Sequence, residues 1–162
     1  MKRILIIVTL LWVNLSPVNA QDLGKYQAVF IRQFVKYLEW SPKKDPVIIG
    51  VLGNSSALIH LQQAGGNDSH IQVIKVASSD QVIKCDILFI PANQSRNLNM
   101  IQSQLNGKST LIVAEEVALA EQGADIGFFV EGNKLRFALN KSKIEEKEIR
   151  ISNTLLSLAK VI

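Results

Sequence analysis

The stretch "PVIIGVLGNSSALIHLQQAGG", residues 46–66, decides the fold class. Its first part is a short and almost wholly apolar run, which is typical of a strand buried on both faces of a parallel sheet. Glycine and serine follow at once, and Ser55 or Ser56 can cap a helix that ends at Gly65-Gly66. A strand that leads through a tight turn into a helix predicts an α/β domain.

The same alternation continues along the chain. The runs "HIQVIKVA" (residues 70–77), "CDILFIPA" (85–92) and "STLIVAE" (109–115) are typical of strands, and an apolar helical repeat spans residues 98–105. Strands that alternate with short helices favour right-handed crossovers and parallel pairing. We therefore expect an α/β fold: a single domain with a mainly parallel sheet, helices on both faces, a C-terminal β-hairpin and a closing helix.

The hairpin is predicted from "DIGFFVEGNKLRFALN", residues 125–140. Gly132-Asn133 is a two-residue turn composition that suits the primed hairpin types. A loop of that length determines the register, and the resulting apolar pairs all fall on one face. The pairs are Val130 with Leu135, Phe128 with Phe137, and Ile126 with Leu139, while Phe129 and Arg136 pair on the other face.

An amphipathic helix with an aromatic stripe is predicted for "GKYQAVFIRQFVKYLEW", residues 24–40, ending before Ser41-Pro42. A stripe at this spacing is more typical of a face that covers a sheet than of a ligand cage. The stripe consists of Tyr26, Phe30, Phe34, Tyr37 and Leu38.

A closing helix is predicted for the last residues of the chain, "IRISNTLLSLAKVI" (149–162). The charged connection before it, residues 141–148, indicates a solvated turn or a helix start. We expect the closing helix to fold back on the sheet beside the aromatic first helix. The alternative is that part of its apolar surface forms a dimer or partner interface. Its apolar face contains Ile151, Leu155, Leu158 and Ile162, with Leu156 and Ala159 beside them.

The first residues predict export. Two basic residues precede an apolar run from Ile4 to Val13, and the segment closes on small residues, which predicts a signal peptide over residues 1–20 with cleavage between Ala20 and Gln21. In a helix the run reaches about 15 Å, half of a hydrocarbon core of about 30 Å. We therefore expect residues 21–162 to form one domain that does not insert into the membrane.

Charge and cysteine content exclude several classes of protein. Two of the 18 basic residues belong to the predicted signal, so the remainder is close to balance with the 14 acidic residues. No block of lysine and arginine is interleaved with aromatic residues, which argues against a nucleic-acid partner. Cys85 is the single cysteine, so an intramolecular disulfide is excluded. Its apolar surroundings favour a small buried side chain over a reactive thiol.

The sequence supplies no catalytic set. His60 and His70 lack an acidic partner at ligand spacing, which argues against a zinc site and leaves no metal or cofactor expected. The turn after the first strand lacks the lysine of a P-loop and the elbow motif of serine hydrolases. Glu115 and Glu116 are sequential neighbours whose side chains diverge at a strand end. We therefore expect no enzyme activity, and a cryptic hydrolase is the least favoured alternative.

A ligand, if one binds, is expected outside the carboxyl ends of the parallel strands. The polar side chains that follow those strands are Asn54, Ser55, Asn93 and Glu115.

Several stretches together resemble the YfiR-like family of small exported bacterial proteins. They are "FVKYLEW", "IGVLG", "CDILFI", the hairpin run and the terminal run "IRISNTLLSLAKVI", in the order of the family. The resemblance implies a periplasmic regulatory protein that forms a homodimer and acts by protein-protein contact. Its partner would be the sensor domain of an inner-membrane diguanylate cyclase, named YfiN in the best-studied system, or another membrane sensor protein.

By this resemblance, binding holds the cytoplasmic output of the cyclase low, and release raises cyclic di-GMP and promotes biofilm growth. Family members with cysteine pairs couple repression to disulfide formation, a device that Cys85 alone does not provide. The alternative is a periplasmic small-molecule-binding sensor module with another signalling partner. Both readings are compatible, because a ligand with different affinities for two states tunes a regulator.

Overall fold

The computed structural model describes residues 20–65 and 68–162. The predicted export signal lies outside the described residues except for Ala20, and so does Gly66. The helices are α1 (Ala20–Tyr37), α2 (Ser56–Gly65), α3 (Ser79–Val82), α4 (Leu98–Gln104), α5 (Val117–Glu121), α6 (Lys141–Glu146) and α7 (Asn153–Leu158), with a 3₁₀ helix at Ala92–Asn97. The strands are β1 (Leu38–Trp40), β2 (Val47–Leu52), β3 (Ile71–Val76), β4 (Ile87–Ile90), β5 (Leu111–Ala114), β6 (Ile126–Glu131), β7 (Lys134–Leu139), β8 (Ile149–Ile151) and β9 (Lys160–Val161).

The main sheet has the order β3-β2-β4-β5-β6-β7-β9. Strands β2 to β6 run parallel, β7 returns antiparallel to β6, and β9 runs parallel to β7. The chain winds from β2 to β3 on one side and then crosses to β4 on the other side. This reversal places a topological switch point between the carboxyl ends of β2 and β4, where open α/β sheets bind ligands.

Helices cover both faces of the sheet, as the sequence predicts, and each face has its own core. On one face, α1 and α2 pack with Ile49, Phe89 and Val113, all of which are fully buried. On the other face, α3, α4 and α5 pack against Leu88 and Ile90. The continuous apolar runs of the central strands follow from burial on both faces.

The hairpin register is confirmed in every predicted pair. Phe128 faces Phe137, and Phe129 faces Arg136 on the opposite side. The Gly132-Asn133 turn has positive φ at both residues, 54° and 60°, which the primed turn requires. Phe34 of α1 packs on the hairpin, with ring centroids 5.2 Å from Phe137. Burying a side chain of this size contributes about 1.5–3 kcal/mol.

The inner face of α1 differs from the predicted aromatic stripe. Tyr26 is exposed and Phe30 is half-buried, whereas Ile31 and Gln27 are fully buried. The helix also ends at Tyr37, earlier than predicted, because the next residues form β1. That strand pairs antiparallel with β8, and Glu39 lies opposite Arg150. A pairing with the far end of the chain overrides the helical pattern, and local periodicity carries no trace of it.

The closing helix is shorter than predicted. Ile151 belongs to β8, and Ile162 follows the edge strand β9. Leu155 is buried against the core beside α1, as predicted for a docked helix, but Leu158 is 55% exposed. The connection before β8 is indeed a helix start, with Asn140 capping α6 through Lys143 N at 3.2 Å.

Candidate functional site

The four polar residues predicted from the strand ends lie at the carboxyl ends of the parallel strands, which form one edge of the sheet. Asn54 and Ser55 follow β2, Asn93 follows β4, and Glu115 follows β5, so three adjacent parallel strands position them. The edge contains the switch point between β2 and β4. The four residues nevertheless have different surroundings: some are exposed to solvent, and others make hydrogen bonds that hold the fold together.

Glu115 connects two other parts of the fold at this edge through hydrogen bonds. Its Oε2 accepts a hydrogen bond of 2.7 Å from the backbone N–H of Ala92, and its Oε1 accepts one of 3.3 Å from Gln27 Nε2. The carboxylate therefore joins the start of the 3₁₀ helix to α1. Glu116 is exposed at the start of α5, and its side chain makes no cap hydrogen bond.

Gln27 is the residue that the sequence reasoning missed. Its side chain is fully buried, and its Oε1 has no hydrogen-bond partner among the described residues. A buried amide acceptor that stays unpaired is uncommon in folded proteins and calls for a donor. The sequence feature that indicates Gln27 is a polar residue on the inward face of an amphipathic helix. A stripe defined by aromatic residues alone does not reveal it.

The first turns of α1 lie over the turn between β2 and α2. A Cβ on Gly24 would lie 2.1 Å from Ser56 Oγ and 2.8 Å from Ala57 N, so only glycine permits this approach. The helix thus covers one side of the strand ends. Gly53, with φ of 70°, has the Gln94 side chain directly above it.

Asn54 and Asn93 are exposed, whereas Ser55 acts as a helix cap. Ser55 Oγ accepts a hydrogen bond of 3.2 Å from Ala57 N, which confirms the predicted serine cap. The two asparagines are therefore the side chains of this edge that a ligand reaches without disturbing the fold.

Cys85 lies away from this edge and is buried at 3% exposure. Its Sγ donates to the carbonyl oxygen of Gln81 at 3.3 Å. Burial raises the pKa of the thiol to about 11. The surroundings suit a packed side chain, because reactive cysteines need a lowered pKa and solvent access.

A basic groove of about 520 Å³ lies at the opposite end of β2. Trp40 and Val47 contribute apolar walls, and Lys43, Lys44 and Arg150 contribute positive charge. At its margin His70 Nδ1 and Asp45 Oδ1 lie 2.8 Å apart. This hydrogen bond raises the pKa of His70 and lowers the pKa of Asp45.

Within residues 20–65 and 68–162, no group of histidine, cysteine or acidic side chains has the arrangement of a metal site. In the same ranges, no helix combines the length and the apolar character that crossing a bilayer requires.

Comparison with known proteins gives a family and a fold. The family model described as DUF4154, YfiR/HmsC-like, matches residues 24–160. No curated protein sequence matches the chain. The fold resembles a conserved domain protein from Vibrio cholerae O1 biovar eltor, with 13% identity and a TM-score of 0.63 over 85% of this chain and 59% of that one.

A second structure with this fold is an ABC domain in complex with L-Trp from Streptococcus pneumoniae. It shares 16% identity and a TM-score of 0.59 over 86% of this chain and 60% of that one. The chain thus spans about three fifths of the length of both structures. At these identities the two structures establish the α/β fold and nothing further about activity.

Proposed function

The chain belongs to the YfiR/HmsC-like family, and from this premise we propose that it represses an inner-membrane diguanylate cyclase from the periplasm. Membership of the family supports a periplasmic regulator of diguanylate cyclase signalling. The observation that carries the proposal is that the match includes the hairpin and almost all of the C-terminal segment. Direct contact with a cyclase and repression as the direction of control are the parts that we add.

In this proposal the chain is exported, cleaved after Ala20 and active as a homodimer. It binds the sensor domain of the cyclase and keeps the cytoplasmic output low through contact alone. Release from the cyclase then raises cyclic di-GMP.

The outer side of β9, together with the residues on either side of this strand, is the surface that we assign to partner contact. Its residues Leu158, Val161 and Ile162 are 55%, 51% and 42% exposed. Strand β9 ends the sheet, with no further strand on its outer side among the described residues. The unpaired edge of a strand can accept another chain, and the exposed apolar side chains beside β9 would add apolar contact to such pairing. Leu155 docks the terminal segment on the core, and in this proposal the exposed residues of the same segment make the partner contact.

Point variants test this surface better than truncation after Arg150, which would also remove the buried Leu155. We expect Leu158→Ser with Val161→Ser to abolish capture of the cyclase sensor domain in a binding assay on purified proteins. Ile83→Ser is the matched control, because Ile83 is 51% exposed and directly follows α3, whose Val82 packs in the core on the opposite face of the sheet. Retained binding by the double variant would overturn the assignment of this edge.

A second candidate function is small-molecule sensing at the edge formed by Asn54, Ser55, Asn93 and Glu115. The unpaired and buried Oε1 of Gln27 beside the switch point favours it. A metabolite that binds there should raise the melting temperature of the protein. Asn54→Ala with Asn93→Ala should abolish the rise, whereas Asn99→Ala, an exposed change on α4, should preserve it.

A further inference from the structure

A separate cavity of about 550 Å³ lies at the amino ends of β5 and β6, opposite the edge considered above. Its size is within the range of about 300–1,000 Å³ that is usual for small-molecule sites. The end of α4, the residues that precede β5 and β6, and α6 with the turn into β8 form its walls. The residues that matter here are Gln102, Gly123, Asp125, Lys143 and Lys147.

Two hydrogen-bond donors converge over Gly123. A Cβ on this residue, whose φ is 118°, would lie 2.3 Å from Gln102 Nε2 and 2.8 Å from Lys143 Nζ. The glycine therefore leaves room for an amide nitrogen and an ammonium group to approach the same point. In the part of the chain that the structure describes, neither nitrogen has an acceptor.

Asp125 supplies an unpaired acceptor in the wall of the same cavity. The residue is completely buried, and its Oδ2 accepts from Ile112 N at 2.6 Å and from Lys147 Nζ at 2.5 Å. Its Oδ1 has no hydrogen-bond partner within the described ranges. Buried polar atoms in folded proteins are normally paired with protein, water or ligand.

The charges at the floor of the cavity favour an anion. Lys143 and Lys147 flank the carboxylate of Asp125. Lys147 forms a salt bridge with it, whereas Lys143 forms no salt bridge among the described residues and acts on Asp125 only at longer range. Lys108, Glu146 and Glu148 are exposed at the rim, which therefore carries a net negative charge. This charge opposes a ligand with several negative groups, so the arrangement suits one acidic group that is directed inwards.

We propose that this cavity binds a small hydroxylated monocarboxylic acid, such as a sugar acid. The carboxylate accepts hydrogen bonds from Gln102 Nε2 and Lys143 Nζ over Gly123. A hydroxyl group of the ligand donates to Oδ1 of Asp125. Lys147 stays bonded to Asp125 and also donates to the carbonyl oxygen of Thr110 at 2.9 Å. It thereby keeps the carboxylate of Asp125 in place.

Calorimetric titration of the purified exported chain with D-gluconate tests the proposal. Hexanoate provides the acid group without hydroxyls, and D-glucose provides hydroxyls without charge. We expect saturable binding of gluconate to a single site, with hexanoate and glucose at least about tenfold weaker, which is the effect of losing about 1.4 kcal/mol. No binding of gluconate, or equal binding of all three compounds, would overturn the proposal.

Variants locate the site. Lys143→Gln and Gln102→Leu should each weaken gluconate binding at least about tenfold while the folded state is retained in circular dichroism. Lys134→Gln is the matched control: it removes the same charge at the exposed hairpin turn, at the other end of β6, and should leave affinity within about twofold. In labelled protein, gluconate should shift the Gly123 amide resonance. Binding that survives both cavity variants and leaves this resonance in place would contradict the assignment.

Discussion

Gln27 and Glu115, 88 positions apart in the sequence, are joined by a hydrogen bond of 3.3 Å between Nε2 and Oε1. The bond connects α1 to the carboxyl end of β5, and the same carboxylate also holds the backbone of Ala92. One side chain thus fixes three parts of the edge where a ligand site was predicted.

Glu115→Ala should lower the free energy of unfolding by about 1–3 kcal/mol, because it leaves the amide of Gln27 and the N–H of Ala92 without an acceptor. Urea denaturation measures the change. Glu116→Ala is the control, since that neighbour is exposed and should change stability by no more than about 0.5 kcal/mol. Equal effects of the two substitutions would mean that Glu115 has no special structural role.

The sequence predicted those contacts that depend on local pattern. The register of Phe128 with Phe137 follows from turn length and side-chain alternation, and both lie within one hairpin. The bond between Gln27 and Glu115 depends on how α1 crosses the sheet, so no spacing in the chain indicates it. The end of α1 at Tyr37 was missed for the same reason, because β1 exists only through its pairing with β8.

Gly50 provides a test of packing at the centre of β2. A Cβ there would lie 2.3 Å from Cys85 Sγ and 2.8 Å from Val76 Cγ2. Gly50→Ala should therefore reduce the free energy of unfolding by about 1–3 kcal/mol through overpacking. In a Cys85→Ala background the same substitution should cost less, because the sulfur is gone. A double-mutant cycle with zero coupling would show that the two residues do not press on each other.

The Cys85 thiol should be inert in the folded protein. Burial raises its pKa to about 11, so little thiolate is present at pH 8, where the thiol is also inaccessible. We expect labelling by a thiol reagent to be slower by about 100-fold or more than in denaturant. Rapid labelling of the native protein, or a covalent dimer that a reductant dissolves, would contradict this expectation and reopen the question of a redox switch.

The buried carboxyl of Asp125 should make stability depend on pH. Burial raises its pKa above the ordinary value of 3.8, against the opposing effect of Lys147. The folded state therefore retains the proton longer than the unfolded state. The contribution of Asp125 to the free energy of unfolding should decline as pH rises from about 4 through the raised pKa, and it should stay constant above that pKa.

Asp125→Asn isolates this contribution. The difference in unfolding free energy between the variant and the wild type should shift in favour of the variant as pH rises through that window. Urea denaturation at a series of pH values measures it. A difference that is independent of pH would show that the pKa of Asp125 is the same in both states.

The pair of His70 and Asp45 predicts a titration that nuclear magnetic resonance can follow. The hydrogen bond between the two side chains raises the pKa of His70 above 6.5. Asp45→Asn should lower that pKa towards the ordinary value, and Asp80→Asn, a change on α3, should not affect it. The stabilisation from the pair is present below pH 6.5 and is lost as pH rises through the raised pKa of His70.

Intracellular cyclic di-GMP in the native host, with the gene deleted and then restored in exported form, tests the central claim most directly. The account predicts that deletion raises cyclic di-GMP and that the exported wild-type chain reverses the rise. The chain with Leu158→Ser and Val161→Ser should fail to reverse it although it is folded and present in the periplasm. An unchanged level of cyclic di-GMP after deletion would contradict the repressor function.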